Sequence, residues 1–494
     1  GVTIDGIPQH CGATCEPSPP STAVLLIEIS GGAAGPTPGL WLLSDFNHIR
    51  GLVINEFQED GIRIEGGVAG PTANFNVITC CFIGTDLSGT IDKGNGTNMG
   101  TLYGGVRIKN VPNGFALDNV VEDCLLSGNY ADGATIWGPI VPGDVGLNTI
   151  ISCYIGTDIT GSVALGNDNE GVSMVEGTHD NVVTRNLISG NGFDGVGIQG
   201  FNNIGFGPPI ISFSNHVVVN RIGVSATSLS PIPNLMRGVA IGTYGPAVWG
   251  CAAGNFIERN IIAENKLEGV YVLEDAVDVF NADENLISEN SIYNNGGLGI
   301  DLQAPGVTAN DPGDPDVLAN DEMNFPVIDS AKEAAGTTTI YGKLDTPAPM
   351  STTVEVFKAR LDPSGHGEGE IYLGSTTPNA GGLWFVAVTG LIVGDSVTST
   401  ATDAANNTSE FSKVRAVKGS SCCIGIRGDC NTDGVDANIL DLTFLVDFIF
   451  RGSGNPGSCP KECDVNSDGA SSNILDLTFL VDRIFRGGPL PGPC

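Results

Sequence analysis

The chain has 494 residues, too many for one ordinary domain, so two or three are expected. It holds 70 glycines and only 16% charged residues, with β-branched runs and few long helical patterns, which points to an all-β protein rich in tight turns. A formal net charge of −34 makes nucleic acid and anionic membrane surfaces poor partners, because phosphate binding needs clustered Lys and Arg; cations such as Ca2+ are good ones.

Residues 1–326 carry a repeat. Seven segments begin with Asn and place Asn or Cys five residues later, starting at Asn76, Asn119, Asn148, Asn181, Asn215, Asn255 and Asn285. The +5 position reads Cys81, Cys124, Cys153, Asn186, Asn220, Asn260 and Asn290. A position that recurs while its loops vary marks a solenoid. Each turn adds a strand of form Gly-apolar-x-apolar, from Gly61-Ile-Arg-Ile64 to Gly299-Ile-Asp-Leu302, whose apolar residues share one face. The +5 side chains should stack inside a bend, with Asn hydrogen-bonding along the stack and Cys filling the slot as a small apolar residue. For Cys81, Cys124 and Cys153 two readings stand: one disulfide, or three packed thiols.

Together, Val2-Thr-Ile-Asp-Gly6, the IGTD turns Ile83–Gly89 and Ile155–Gly161, Leu298–Leu302 and Asn324–Ile328 resemble a group of bacterial secreted proteins within the pectate-lyase-like superfamily. The resemblance covers about two thirds of the chain and implies a right-handed parallel β-helix more than any activity. In that group VTIDG follows earlier strands. Here Val2, Thr3, Ile4, Asp5 and Gly6 stand as a candidate assembly edge, since solenoid ends need caps and open edges pair with other chains. The alternative is a local cap made by Cys11–Glu16 and Pro17–Pro20.

Residues 327–418 alternate in short runs, Thr337–Leu344, Thr352–Arg360, Glu370–Thr376, Leu383–Val388, Ser396–Ala401 and Ser409–Ala416, which suggests an Ig-like β-sandwich acting as a spacer. The stretch Ala401–Phe411 looks like the last hairpin of bacterial Ig-like modules that follow such helices.

Residues 419–494 contain a near-duplication. Asp429-Cys-Asn-Thr-Asp-Gly434 answers Asp464-Val-Asn-Ser-Asp-Gly469, and Asn438–Asp447 recurs letter for letter at Asn473–Asp482. Asp-x-Asn-x-Asp-Gly sets three oxygen ligands on a tight loop, as in an EF-hand, and a helix of 3.6-residue period follows. Two such units resemble a type I dockerin. The resemblance implies that Asp429, Asn431, Asp433, Asn438 and Asp441 bind one Ca2+, and Asp464, Asn466, Asp468, Asn473 and Asp476 a second. Each loop is one residue longer than the usual pattern before Asn438 and Asn473. Phe444, Phe448 and Phe450 are candidate docking anchors, for a cohesin-like partner.

The 13 cysteines, several close together, form no CxxC pair, and His is scarce. Disulfides made in an extracellular compartment are therefore expected rather than zinc sites. An odd count leaves one thiol free or paired between molecules. A start at Gly1 fits a removed signal peptide or a trimmed chain. No apolar run approaches transmembrane length.

A catalytic β-helix needs a cluster on its outer face. The outward residues of the Gly-led strands are Arg63, Arg107, Thr135, Ser173, Gly197, Ala240, Tyr271 and Asp301, without stacked carboxylates. Arg107-Ile-Lys109 matches a polygalacturonase motif, but Gly365-His-Gly367 and Asn431-Thr-Asp433 fall outside the helix, so these matches read as chance. Asp86 and Asp158 are expected to bond their own turns. The loop carrying Asp301, Asp311, Asp314, Asp316 and Asp321 is a candidate third Ca2+ site, with Asp311, Asp314 and Asp316 at its centre. These readings favour a non-catalytic, secreted structural or adhesive protein that self-assembles as a homo-oligomer or filament. The alternative is a polysaccharide-active enzyme or carbohydrate-binding protein carried to a scaffold.

Overall fold

The computed structural model describes residues 1–7, 22–68, 70–97, 103–138, 143–201, 210–242, 249–250, 252–274, 282–303, 305–419, 427–431, 433–435, 437–452, 459–470 and 472–492. Three parallel sheets run through the first 302 residues. The first has nine strands from Thr3–Asp5 to Leu286–Ser288, and the second nine from Glu28–Ser30 to Ser291–Tyr293. The third runs from Leu40–Leu42 to Ile300–Leu302. Every strand pairs in parallel with its counterpart one turn on, as Val120 does with Val77 and Thr149. This is a parallel β-helix, as the repeat predicts.

Strands of two to six residues cannot hold alone; stacking makes them stable. Ile54, Ile83, Leu126, Ile155, Ile188, Ile222, Ile262 and Ile292 pile up inside the second sheet, all essentially buried. Each such burial contributes about 1.5–3 kcal/mol relative to exposure. Outside that sheet, the loops after Gly84, Gly156 and Gly223 lie on one another through Ile159 N–H to Gly89 O and Ala226 N–H to Gly161 O, both 2.9 Å. Asp86 and Asp158 accept from their own turns, at Ile91 N–H (3.2 Å) and Val163 N–H (3.1 Å), which is the structural role expected.

The corners are made by left-handed residues. Cys80, Asp123, Ser152, Arg185, Val219, Arg259 and Glu289, each just before the +5 position, have φ between 52° and 60°. Such non-glycine conformations cost roughly 1–2 kcal/mol each, and stacked side chains offset them. From Asn186 through Asn220 and Asn260 to Asn290, each Asn donates its backbone N–H and its Nδ2 to the Oδ1 of the next, at 2.9–3.1 Å. The repeat's first Asn builds a second ladder from Asn47 to Asn285. A third, running Asn95, Asn129, Asn167, Asn191, Asn234, Asn265 and Asn295, was not anticipated. In the early turns Cys81, Cys124 and Cys153 are buried free thiols, which decides between the two readings. Burial pushes the Cys81 and Cys124 thiols well up, so they are unreactive. Disulfides occur elsewhere: Cys430 is bonded to Cys463, and Cys80 and Cys459 are also disulfide-bonded.

The region after the coil corrects the expected spacer. Its seven strands form one sheet with terminal strands Glu368–Thr376 and Leu383–Thr389, which touch each other, so the sheet rolls on itself. Val327–Ala334 is a strand the alternation missed. Ser409–Ser412, expected within a strand, is buried against the last coil turn instead. Phe357 and Phe411 enter the coil's own core. Glu368 Oε1 accepts the backbone N–H and the Nδ2 of Asn295, both 3.0 Å, and so ends the third ladder. Glu355 accepts Ser288 Oγ–H and Glu289 N–H, and Glu410 accepts Leu302 N–H and Thr308 N–H. Asn320 ends the ladder at Asn285 and donates to Thr408 O at 3.1 Å. The chain forms two compact units, Gly1–Ala331 with Gly336–Val417, and Lys332–Ala335 with Lys418–Cys494.

Within the second unit, α1 (Ile439–Arg451) and α2 (Ile474–Arg486) pack through Leu442, Leu445, Leu477 and Leu480. Both end at a left-handed glycine, Gly452 and Gly487.

Burial, with Asp301 nearby, pushes the Glu410 carboxyl to about 8; burial, with Asp362 nearby, pushes Glu368 to about 7. Both lie above the unfolded value of about 4.3. Their stabilising contribution is therefore present below that pH and lost as pH rises through about 7–8. The melting temperature of the coil should fall between about pH 5 and about pH 8.5, and Glu368→Gln with Glu410→Gln should flatten that fall. A pH-independent melting temperature in the unaltered chain would contradict this account of the cap.

Candidate functional site

The third sheet presents its middle strands as a strip of small residues, Thr135, Ser173, Gly197 and Ala240. Beside it runs a column that outward strand residues do not reveal. The residues before the eight strand-leading glycines are Asp60, Gly104, Asp132, Glu170, Asp194, Arg237, Glu268 and Leu298, five of them acids. These carboxylates correct the expectation of a lateral face without stacked acids. The signal was in the sequence, one position before five of the Gly-led strands.

Most of the column has a structural task. Asp60 Oδ1 accepts Gly104 N–H (3.1 Å), Asp132 Oδ1 accepts Glu170 N–H (3.2 Å), and Asp194 Oδ1 accepts Arg237 N–H (2.8 Å). Each thereby satisfies a backbone donor of the following turn. Glu170 departs from this. Its carboxyl lies over bare Gly197, where a Cβ would stand 2.6 Å from Oε2. Gln199 Nε2 donates to Oε1 at 3.1 Å, while Oε2 is buried without a hydrogen-bond partner, as is Asp194 Oδ2. Burial first, then the charges of Asp132 and Asp194, pushes Glu170 well above the usual carboxylate range. Burial also raises Asp194 and Asp301, each to about 6. A buried carboxyl pushed up between two further carboxyls is an arrangement suited to proton transfer.

On the N-terminal side of the strip the face is rigid. Arg63 lies over the Trp41 and Tyr103 rings, and Arg107 over Tyr103 and Trp137, at 4.9–5.5 Å from the centroids. Arg107 Nε is 3.2 Å from Asp60 Oδ1, a structural ion pair rather than a polygalacturonase motif at work. On the other side Arg237 covers Tyr271 at 4.3 Å and bonds Glu268 at 2.8 Å.

The duplicated loops fold alike. Asp429 accepts Asp433 N–H (3.0 Å) and Gly434 N–H (2.8 Å); Asp464 accepts Asp468 N–H (3.0 Å) and Gly469 N–H (3.2 Å). Asn431 and Asn466 each donate Nδ2 to Asp433 and Asp468. Asp441 and Asp476 are fully buried at the helix starts, and burial raises both, with Asp429 and Asp464 adding charge. An all-oxygen set with uncompensated charge fits a hard cation such as Ca2+. Asn438 and Asn473 have a structural task in this arrangement. The extra loop residue moves them to the helix N-cap, where Oδ1 accepts Leu440 N–H and Leu475 N–H. Among the described residues no three His, Cys, Asp or Glu side chains converge as a metal cage; Thr432 and Asp436 lie outside that set. The second loop also differs through Arg427, whose Nη1 is 3.0 Å from Asp464 Oδ2.

Phe444 and Phe448 pack into the two-helix core, whereas Phe450 is 64% exposed, so one of the three docking candidates is on the surface. Its counterpart Phe485 is equally exposed and was overlooked. In the Asp-rich loop, Asp314 accepts Asn324 N–H at 2.8 Å and is raised by burial and by Asp311 and Asp316. Asp301 instead accepts Gly306 N–H, and Asp321 accepts from Asn407, so these two leave the expected cluster. Strand Thr3–Asp5 has one partner strand among the described residues, His48–Arg50. Residues Cys11–Glu16 and Pro17–Pro20, the expected local cap, lie outside the described residues.

No protein-family model matches the sequence, and no curated protein does. Among solved structures, the chain is similar to the A-module of mannuronan C-5 epimerase AlgE4 from Azotobacter vinelandii. The identity is 17% over 56% of this chain and 70% of that one, with a TM-score of 0.33. It is also similar to the periplasmic alginate epimerase AlgG, at 14% identity over 54% of this chain and 77% of that one, with a TM-score of 0.23. No helix among the described residues is long and apolar enough to cross a membrane.

Calcium should raise the melting temperature of the second unit, by mass action worth about 2.7 kcal/mol at 100 times Kd. Asp441→Asn with Asp476→Asn should abolish the rise. Calorimetry with and without chelator checks this; identical traces would count against both loops.

Proposed function

We propose that this is an extracellular polysaccharide-active protein whose third sheet binds a glycan and moves a proton at it through Glu170. One observation carries the reading. Asp132 and Asp194 accept backbone N–H groups of the coil, but Glu170 Oε2 has no partner and lies on bare Gly197. Glycan chemistry at a β-helix face needs such a group as general acid or base, with carboxylates alongside. The non-catalytic part of the expected adhesive reading rested on a lateral face without stacked carboxylates, and the acid column weakens that ground; its other grounds, the first strand, the odd cysteine count and the docking module, are untouched. The dockerin-like loops would hold Ca2+ through Asp429, Asp433 and Asp441 and through Asp464, Asp468 and Asp476. Phe450 and Phe485 would anchor a cohesin-like scaffold protein. The disulfides suit an oxidising, extracellular setting.

A second reading, self-assembly through the first turn, is supported by the single pairing of Thr3–Asp5 among the described residues. It is compatible with the first. Sedimentation at high protein concentration with calcium should reveal oligomers; monomers throughout would end it.

The decisive experiment for the main reading is a screen of the full chain against soluble glycans. Turnover of at least one is expected, with Glu170→Gln lowering kcat about 100-fold or more. The same substitution should leave the melting temperature unchanged or raised at neutral pH, because it removes a buried ionisable group. Full activity in Glu170→Gln would remove the residue from the mechanism.

A further inference from the structure

We infer that the two duplicated loops of the second unit load with Ca2+ in sequence, the loop from Asp429 to Asp441 first and the loop from Asp464 to Asp476 only at higher calcium, because Arg427 is bonded to the second; this rests on reading both loops as Ca2+ sites. The duplication supplies its own control. Asp429, Asn431, Asp433, Asn438 and Asp441 are answered residue type for residue type by Asp464, Asn466, Asp468, Asn473 and Asp476. The two sets also fold alike. The first Asp of each accepts two N–H groups of its own turn, and the last is fully buried at a helix start. A difference in affinity must therefore come from around these side chains.

What differs is charge. Arg427 Nη1 donates to Asp464 Oδ2 at 3.0 Å and to the Asp464 carbonyl oxygen at 2.7 Å. The two side chains are 12% and 10% exposed, so solvent and salt screen the pair little. Arg427 precedes the first loop in the chain but reaches the second because the two approaches lie together. Gly428 N–H donates to Glu462 O at 2.7 Å, and Cys430 is bonded to Cys463. Two residues before Asp464, where Arg427 stands before Asp429, the chain has Glu462. Among the described residues Asp429, Asp433 and Asp441 have no such cationic partner. The segment 429–441 also holds four acids against three in 464–476, since Asp436 is answered by Ser471. Calcium affinity in loops of this kind is tuned by ligand charge. A guanidinium fixed on one carboxylate takes up part of that charge and repels an arriving cation.

The test is calorimetric titration of the calcium-depleted full chain with Ca2+, with the double variant Asp441→Asn, Asp476→Asn as the blank for any other site. Single variants assign the loops: Asp476→Asn leaves the first and Asp441→Asn leaves the second. The first should bind at least about 10-fold more tightly than the second. Added to Asp441→Asn, Arg427→Gln should tighten the second loop by about 10-fold or more, whereas Arg427→Lys, which keeps the charge, should not. Circular dichroism checks that the variants are folded; if Arg427→Gln is not, the comparison of the two single loops decides. Equal affinities, or a second loop that Arg427→Gln weakens, would overturn the inference while leaving both loops calcium sites. Titrations indistinguishable from the blank would overturn the calcium reading as well.

Discussion

The fold depends on one constraint: every corner of the coil turns through a left-handed residue, and the buried backbone N–H groups there need a partner. Stacked Asn side chains meet it, because one amide accepts at Oδ1 and donates at Nδ2, so each rung satisfies its neighbour and asks the same of the next. Three such ladders run along the coil. The thiols Cys81, Cys124 and Cys153 substitute where the slot can do with a weak acceptor; Cys81 N–H still reaches Cys124 Sγ at 3.4 Å. The rigidity of the lateral faces follows from this, since no corner can shift without breaking two rungs.

A ladder that always passes on a donor has to be stopped. A carboxyl oxygen accepts without passing a further amide donor along the ladder, and the domain after the coil supplies Glu368 at the end of one ladder, with Glu355 and Glu410 on neighbouring N–H groups. That chemistry explains why these three acids are buried against the coil. It also makes the following domain part of the coil's stability rather than a spacer between modules.

The coil was legible because period-2 apolar strands and a recurring Asn are one-dimensional signals, visible in a single turn. The third ladder was less so: Gly94-Asn95, Gly128-Asn129, Gly166-Asn167 and Gly190-Asn191 share a Gly-Asn pair, but Pro233, Glu264 and Asn294 precede the later rungs and hide the period. The cap could not be read from alternation at all. Ser409–Ser412 looks like an edge strand, and its burial comes from contact with a coil end far away in sequence. The duplicated loops were readable down to their Asp-Gly turn, yet the N-cap role of Asn438 and Asn473 was not read from the spacing. The acid column escaped because attention to side chains on the strand passes over the corner that precedes it.

That column is where the structural and functional accounts separate. A corner acid that accepts the next turn's N–H is a variant of the Asn rung, which explains Asp60 and Asp132; Asp194 does the same through Oδ1 and leaves Oδ2 without a partner. Asp is the right length for the task. Glu170 is one methylene longer and lies on Gly197, the one glycine among the outward positions Arg63, Arg107, Thr135, Ser173, Gly197, Ala240, Tyr271 and Asp301. Both choices work against stability: Gly weakens a strand interior, and a buried carboxyl between two others is unfavourable when ionised. Local departures that cost stability, set side by side on an otherwise regular lattice, are what selection for chemistry leaves behind, and the paired exception of Glu170 over Gly197 is therefore the strongest mark of function on this coil.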